Sequence, residues 1–255
     1  MIHPTAIVHP GAKVARGAEI GPYSLVGEHV EIGRGTQLLA HVVVNGHTII
    51  GEDTVIHPFC TIGAPSQDRK AGEEVAYTTI GNRTVIREFT SIHRATGEGA
   101  YTRVGDDCLL LSYVHVAHNC LIGNHVTMSN LAQLAGHVVV DDHAGIGGMA
   151  GVHQFVRIGR FAFVGGYSKI VRDVPPYFLA EGNPAEVYGL NSPGLRRAGF
   201  KAGVLAELKD AYKTIYRSDR NLSQAIDALR AAVTSDEGQM LIAFLGGESN
   251  RGIMK

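Results

Sequence analysis

Residues 110–152 read LLSYVHVAHNCLIGNHVTMSNLAQLAGHVVVDDHAGIGGMAGV. Within them Leu110, Val116, Ile122, Met128, Leu134, Val140, Ile146 and Val152 fall at every sixth place. An amphipathic helix repeats its apolar residues at about 3.6 and a half-buried strand at about 2, so a period of six belongs to neither alone. It fits a short strand followed by a corner, three of which close an 18-residue triangular coil.

Outward from this stretch the register holds over most of the chain. It runs from Val8, Val14, Ile20 and Val26 to Ile62, resumes in phase at Ile80, Ile86 and Ile92, and continues from Val104 to Ile170. That makes 25 anchor positions, none of them polar. Two residues before each anchor the side chain is always Ala, Ser, Thr, Cys or Val, and glycine often follows the anchor directly, as at Gly21, Gly33, Gly123 and Gly147. The anchor is expected to fill the interior and the small residue to fit beside it. The glycine is expected to supply the corner's backbone conformation. All three cysteines (Cys60, Cys108, Cys120) occupy the small inward position, where they read as buried apolar groups.

The expected organisation is an all-β parallel β-helix over residues 1–174, with loops extruded near 64–78 and 94–102. The repeat stops after Val174 at Pro175-Pro176, and residues 175–255 read as a linker and a helical domain. There Val204, Leu205, Leu208, Tyr212 and Ile215 recur at helical spacing; Asn221 or Ser223 caps a further helix, and a last one covers Met240–Leu245.

A net charge of −1 argues against non-specific binding to nucleic acid. No run approaches the roughly 20 apolar residues that span a bilayer, so no stable membrane insertion is expected. The N-terminal MIHPTAIVHPGAKV has neither a basic start nor an apolar run, so a cytoplasmic protein is expected.

Most of the 13 histidines, among them His3, His9, His29, His41, His47, His57 and His93, read as single surface or corner residues. The 18-residue period separates out the rest. His118, Gly136 and Gln154 are 18 apart and stack on successive coils; His137 and His153 are their chain neighbours, and His115 lies three residues before His118. These residues gather along one edge, beside a glycine with a free backbone, which suggests a site. Gly147-Gly148 and Gly165-Gly166 are also 18 apart. Gly147 and Gly165 hold the ordinary corner place, whereas Gly148 and Gly166 are additional and open a slot for an extended apolar chain.

Several intervening motifs carry a resemblance: HVVVNGH (41–47), QDRK (67–70), IHR (92–94), HVAHNC (115–120), LAGH (134–137), IGGMAGVHQF (146–155), VGG (164–166), DVPPY (173–177), EGNPA (181–185) and GLRRAGF (194–200). Over essentially its whole length the chain resembles the UDP-N-acetylglucosamine acyltransferases that open lipid A biosynthesis. The resemblance implies a left-handed parallel β-helix with a C-terminal α-helical domain, assembled as a homotrimer and needing no cofactor or metal. It implies transfer of a 3-hydroxyacyl group from acyl carrier protein to the 3-position of the glucosamine ring. His118 is then the general base and the Gly136 N–H stabilises the oxyanion. Gln67, Asp68 and Lys70 hold the sugar, and His115, His137, His153 and Gln154 line the pockets. Gly148 belongs to the acyl slot, Gly166 acts as the ruler of acyl length, and Asn191 and Arg197 contact the nucleotide. Arg157, Arg160, Lys169 and Arg172 could meet an acidic carrier protein or simply face solvent.

The chain departs from the family pattern at Asn119, where some members carry aspartate, and at Ala198, which replaces one basic residue of an arginine pair. A 3-hydroxyl and a 3-amino acceptor both remain open. So does a zinc hydratase of the γ-carbonic-anhydrase type, which needs three histidines on one ion, although QDRK, the glycine slot and the arginine-bearing helical segment have no place in it.

Overall fold

The computed structural model describes residues 1–254. Among them, three sheets of nine, eight and ten strands form the faces of a triangular prism, wound as a left-handed parallel β-helix with a C-terminal helical region. The first face runs from Ile7–Val8 to Lys169–Ile170, the second from Lys13–Val14 to Arg157–Ile158, and the third starts at Glu19–Ile20. Most strands are two residues long, one facing out and the anchor facing in. His115 pairs with Gln133, Gln133 with Gly151 and Gly151 with Lys169, which is the 18-residue step.

The loops shift this step by whole hexads. Thr61 pairs with Ser91, 30 residues on, and Ser91 with His115, 24 on. These exceed 18 by 12 and 6, so the anchors stay in phase. From Ile20 to Ile170 each anchor is at most 3% exposed, whereas Val8 and Val14 on the end coil are only partly covered. Such stability is a sum over neighbouring coils, and an end coil lacks one neighbour.

The small inward residues do more than fit. Thr54 and Thr84 donate their hydroxyls to the carbonyls of Gly81 (2.8 Å) and Gly105 (2.9 Å) on the next coil, which satisfies polar groups that burial would otherwise strand. The cysteines do the same weakly, Cys120 toward Ala135 O at 3.1 Å. Burial pushes the thiols of Cys60 and Cys120 up to about 12 and that of Cys108 to about 11, so all three stay protonated and unreactive.

The corner chemistry differs from the expectation. Of the glycines that follow an anchor, Gly63 is left-handed (φ 74°) but Gly21, Gly33, Gly123 and Gly147 are not. These four are required for close approach: a Cβ on Gly33 would stand within contact distance of the Gly51 carbonyl, and one on Gly21 would lie 2.7 Å from the Leu39 carbonyl carbon. The left-handed residue lies three before the anchor and is seldom glycine, as at Phe59, Phe89, Tyr113, Asn119, His137 and Phe155. Such a conformation costs on the order of 1 kcal/mol or more for a residue with a side chain. Here the rings stack from coil to coil, Phe59 on Phe89 at 5.1 Å and Phe89 on Tyr113 at 4.8 Å, and each stacked pair returns about 1 kcal/mol.

Past the prolines the chain does not leave the prism at once. Phe178–Gly182 pairs in parallel with Phe163–Val164 on the third face and turns back against Ala185–Leu190. Four helices follow: α1 (Ser192–Arg197), α2 (Ala202–Tyr216), α3 (Leu222–Ala232) and α4 (Asp236–Gly246). Asn221, not Ser223, caps α3, in a capping box with Gln224. Ser235 caps α4, which therefore starts before Met240. No helix is long and apolar enough to cross a membrane among the described residues.

Candidate active site

The corner between the first and second faces carries HVAHNC. Left-handed Asn119 (φ 60°) turns the chain directly after His118. Its side-chain amide is held at both ends and its backbone N–H is held as well. Thr96 donates its N–H to Asn119 Oδ1 (3.0 Å), Asn119 Nδ2 donates to Thr96 O (3.0 Å), and Asn119 N donates to Thr102 Oγ1 (2.8 Å). This fixes which end of the amide is oxygen. His118 Nδ1, 2.9 Å from that oxygen, must therefore donate, which leaves Nε2 of the neutral ring with its lone pair free.

The next coil lies directly beneath. A Cβ on Gly136 would stand 2.5 Å from both Cε1 and Nε2 of His118, so the imidazole occupies the space that glycine leaves. The Gly136 carbonyl accepts from Phe155 N (3.1 Å), while its N–H meets no acceptor among the described residues. A nitrogen with a free lone pair thus packs against the residue whose N–H has no acceptor among the described residues: a proton acceptor and a donor suited to negative oxygen on adjoining coils.

Neighbouring rings are kept neutral. Burial, then repulsion from His118, lowers His137, with Asp68 opposing; its ring stands edge-on to His118 at 5.2 Å and stacks on Phe155 at 4.6 Å. Burial, then His93, lowers His115 to about 4, and its Nδ1 lies 2.8 Å from Ser91 Oγ.

His115, His118, Gly136 and His153 share one open cleft of about 550 Å³ with Gln67 and Lys169, running across the first face. A larger groove of about 650 Å³ lies between the second face and α4, lined by Arg103, Arg160 and Phe244; it holds none of the histidines and is not the site. Asp68 sits close enough to oppose the shift of His137, and it folds its own loop by accepting from Lys70 N (3.0 Å). Lys70 is exposed on that loop, and Gln154 is exposed next to His153. Across the first face, at its other corner, Gly166 stacks on Gly148: a Cβ on Gly166 would lie 3.2 Å from Gly148 O, and one on Gly148 3.2 Å from Asn130 O. Gly147 is a packing glycine, since its Cβ would meet Gly166 N at 2.5 Å. On the face between the two corners a Cβ on Gly151 would meet nothing within 4 Å. Gly151 therefore leaves the middle of the first face open, and the histidine cleft extends onto it.

Two sequence candidates lie elsewhere. Asn191 sits by the third corner, donating its amide to Phe161 O (3.0 Å) and accepting from Gly194 N (3.2 Å) to cap α1. Arg197 is exposed in the last turn of that helix. Neither shares an edge with His118 in the same chain. Three contributors were not among the sequence candidates: Thr96, which orients Asn119; His93, part of the IHR motif but read as a surface residue, whose ring stands edge-on to His115 at 5.3 Å; and Arg251, 2.6 Å from His153 Nδ1. No three His, Cys, Asp or Glu side chains among the described residues converge as a metal ion requires, so the three-histidine geometry of a zinc hydratase is not found there.

A left-handed hexapeptide prism with a histidine edge and a helical C-terminal region defines a class of transferases. A family model for bacterial transferase hexapeptides (six repeats) matches residues 29–64, and one for UDP N-acetylglucosamine O-acyltransferase, domain 2, matches 173–254. The chain is 45% identical over 257 residues to an acyl-[acyl-carrier-protein]–UDP-N-acetylglucosamine O-acyltransferase of Syntrophobacter fumaroxidans, covering 100% of this chain and 99% of that one. LpxA of Acinetobacter baumannii superposes with a TM-score of 0.96 at 42% identity, over 100% of this chain and 99% of the other. LpxA of Bacteroides fragilis, a UDP-N-acetylglucosamine acyltransferase, gives 0.97 at 36% identity over 100% of both. The chain belongs to the UDP-N-acetylglucosamine O-acyltransferase family and is an acyltransferase.

Proposed function

We propose that the chain transfers a 3-hydroxyacyl group from the thioester of acyl carrier protein to the 3-hydroxyl of the glucosamine ring of UDP-N-acetylglucosamine, in the cytoplasm, as the first step of lipid A biosynthesis. The observation that carries this reading is the placement of His118 Nε2 over Gly136, with the other ring nitrogen tied to Asn119. Nε2 takes the hydroxyl proton as that oxygen attacks the thioester carbon. The carbonyl oxygen gathers negative charge against the Gly136 N–H. The carbon–sulfur bond then breaks, and the departing thiolate recovers the proton from His118. A positioned base contributes roughly 10²–10⁴ in rate and one oxyanion donor roughly 10²–10³. Neutral His115 and His137 spare the transient imidazolium two neighbouring charges.

Gln67, Asp68 and Lys70 hold the sugar, while His153 and Gln154 border the pocket. The acyl chain runs from the cleft over Gly151 toward Gly148, and Gly166 sets its length. Asn191 and Arg197 at another corner favour a homotrimer in which a neighbouring subunit brings them to the nucleotide. The O-acyltransferase relatives support the hydroxyl acceptor over the amine. The test is to supply purified chain with 3-hydroxyacyl carrier proteins of several lengths and UDP-N-acetylglucosamine, in the presence of a chelator. Release of carrier thiol matched by a sugar nucleotide heavier by one hydroxyacyl group is expected. Thiol release without that product would refute the reading.

A further inference from the structure

The segment after α4 returns to the active-site edge. Ser249 Oγ accepts from Arg251 N (3.2 Å) and Gly252 N (2.7 Å), and Gly252 turns the chain with φ 71°. Ile253 then bridges to Asp173, Met254 is 2% exposed, and the Met254 carbonyl accepts from the Tyr216 hydroxyl at 2.9 Å. Asp173 is fully buried and held in turn by Arg157 through N (2.8 Å) and Nε (2.7 Å). A tail pinned at these points aims Arg251 at the prism. Its Nε donates to Gln154 O (2.8 Å), and its Nη2 stands 2.6 Å from His153 Nδ1.

A guanidinium has donors only. His153 Nδ1 must therefore accept, and the single proton of the ring sits on Nε2. The Gln154 carbonyl, 3.3 Å from the same Nδ1, would favour the opposite tautomer. It is the longer contact, and Arg251 already supplies that carbonyl with a proton. His153 is consequently left with Nε2–H as its one free donor, on a residue that lines the cleft.

We propose that Arg251 is a positioning residue of the transfer reaction: through His153 it fixes the Nε2–H tautomer, which donates to an oxygen of bound substrate. The proposal rests on the acyltransferase reading above, and it makes docking of the C-terminal tail a condition for a complete site. Arg251→Ala, His153→Ala and the double variant are assayed for kcat/KM beside thermal melting. Arg251→Ala is expected to lose roughly tenfold, the worth of one charge-assisted hydrogen bond, and to cost less than about twofold when His153 is already alanine. Arg251→Lys, which keeps the charge and its donors but on a single nitrogen, is expected to recover part of the loss. Equal fold losses in both backgrounds, or no loss from Arg251→Ala, would overturn the proposal. Histidine-selective 15N spectra test the same contact without activity. A bare Nδ1 on His153 in the wild type, giving way to mixed tautomers in Arg251→Ala, is expected, and a protonated Nδ1 in the wild type would refute it. A wild type that transfers nothing but shows the bare Nδ1 would instead overturn the acyltransferase reading alone.

Discussion

Gly136→Ala isolates the position of the imidazole from the donor beneath it. Alanine keeps the backbone N–H and suits this residue, whose φ lies outside the left-handed region. Its methyl, however, would begin 2.5 Å from Cε1 and Nε2 of His118, and ordinary contact starts at 3.4 Å, so the ring must retreat by about 0.9 Å. A displacement of about 1 Å at a reacting group costs on the order of 10²-fold in rate. Retreat also stretches the 2.9 Å bond from His118 Nδ1 to Asn119. The expected result is therefore a loss of about 10²-fold in kcat/KM with the melting temperature almost unchanged, because the ring that must move is half-buried and lines the open cleft rather than the prism core. In a His118→Ala background the same substitution should cost little, as there is no ring to move. A Gly136→Ala variant with near wild-type kcat/KM would refute the placement of His118 over Gly136.

Asn119→Asp keeps an acceptor for His118 Nδ1 but turns a carboxylate oxygen toward Thr96 O, now 3.0 Å from the amide nitrogen. Urea unfolding should show a loss of about 1–3 kcal/mol, and the acid limb of the kcat/KM profile should move to higher pH as the anion favours the imidazolium. His115, at about 4 in the fold against an ordinary 6.5, binds protons more readily when unfolded. Its stabilising contribution is whole above pH 6.5 and is lost as pH falls toward 4, so urea unfolding over that window should show a flatter decline in His115→Gln than in the wild type. Gly203, in the first turn of α2, leaves open space where an alanine methyl would stand; Gly203→Ala should raise stability by about 0.5–1 kcal/mol, read as a higher melting temperature with activity unchanged.

The prism was legible because its core has one rule: an apolar anchor every sixth residue. The 18-residue step also placed His118 over Gly136, since no loop intervenes between them. His93 escaped the spacing because the second extruded loop adds 6 residues to the step between its coil and that of His115, so its approach to His115 follows no multiple of 18. The left-handed corner is most often Tyr, Phe or His, none of which favours that conformation locally, with Asp, Arg, Leu or Met in other coils; stacking and coil geometry impose it, not local preference. The strand Phe178–Gly182 lay hidden behind two prolines because it joins the third face without continuing the hexads. Thr96 and Arg251 reach the site from a loop and from the chain's far end, and such contacts leave no trace in spacing.

The most direct test of the central claim compares kcat/KM for acyl transfer by the wild type and by His118→Ala under identical conditions. If Nε2 of His118 is the proton acceptor, the variant falls by about a hundredfold or more while its melting temperature stays near that of the wild type. A folded His118→Ala chain that transfers within tenfold of the wild-type rate would contradict it.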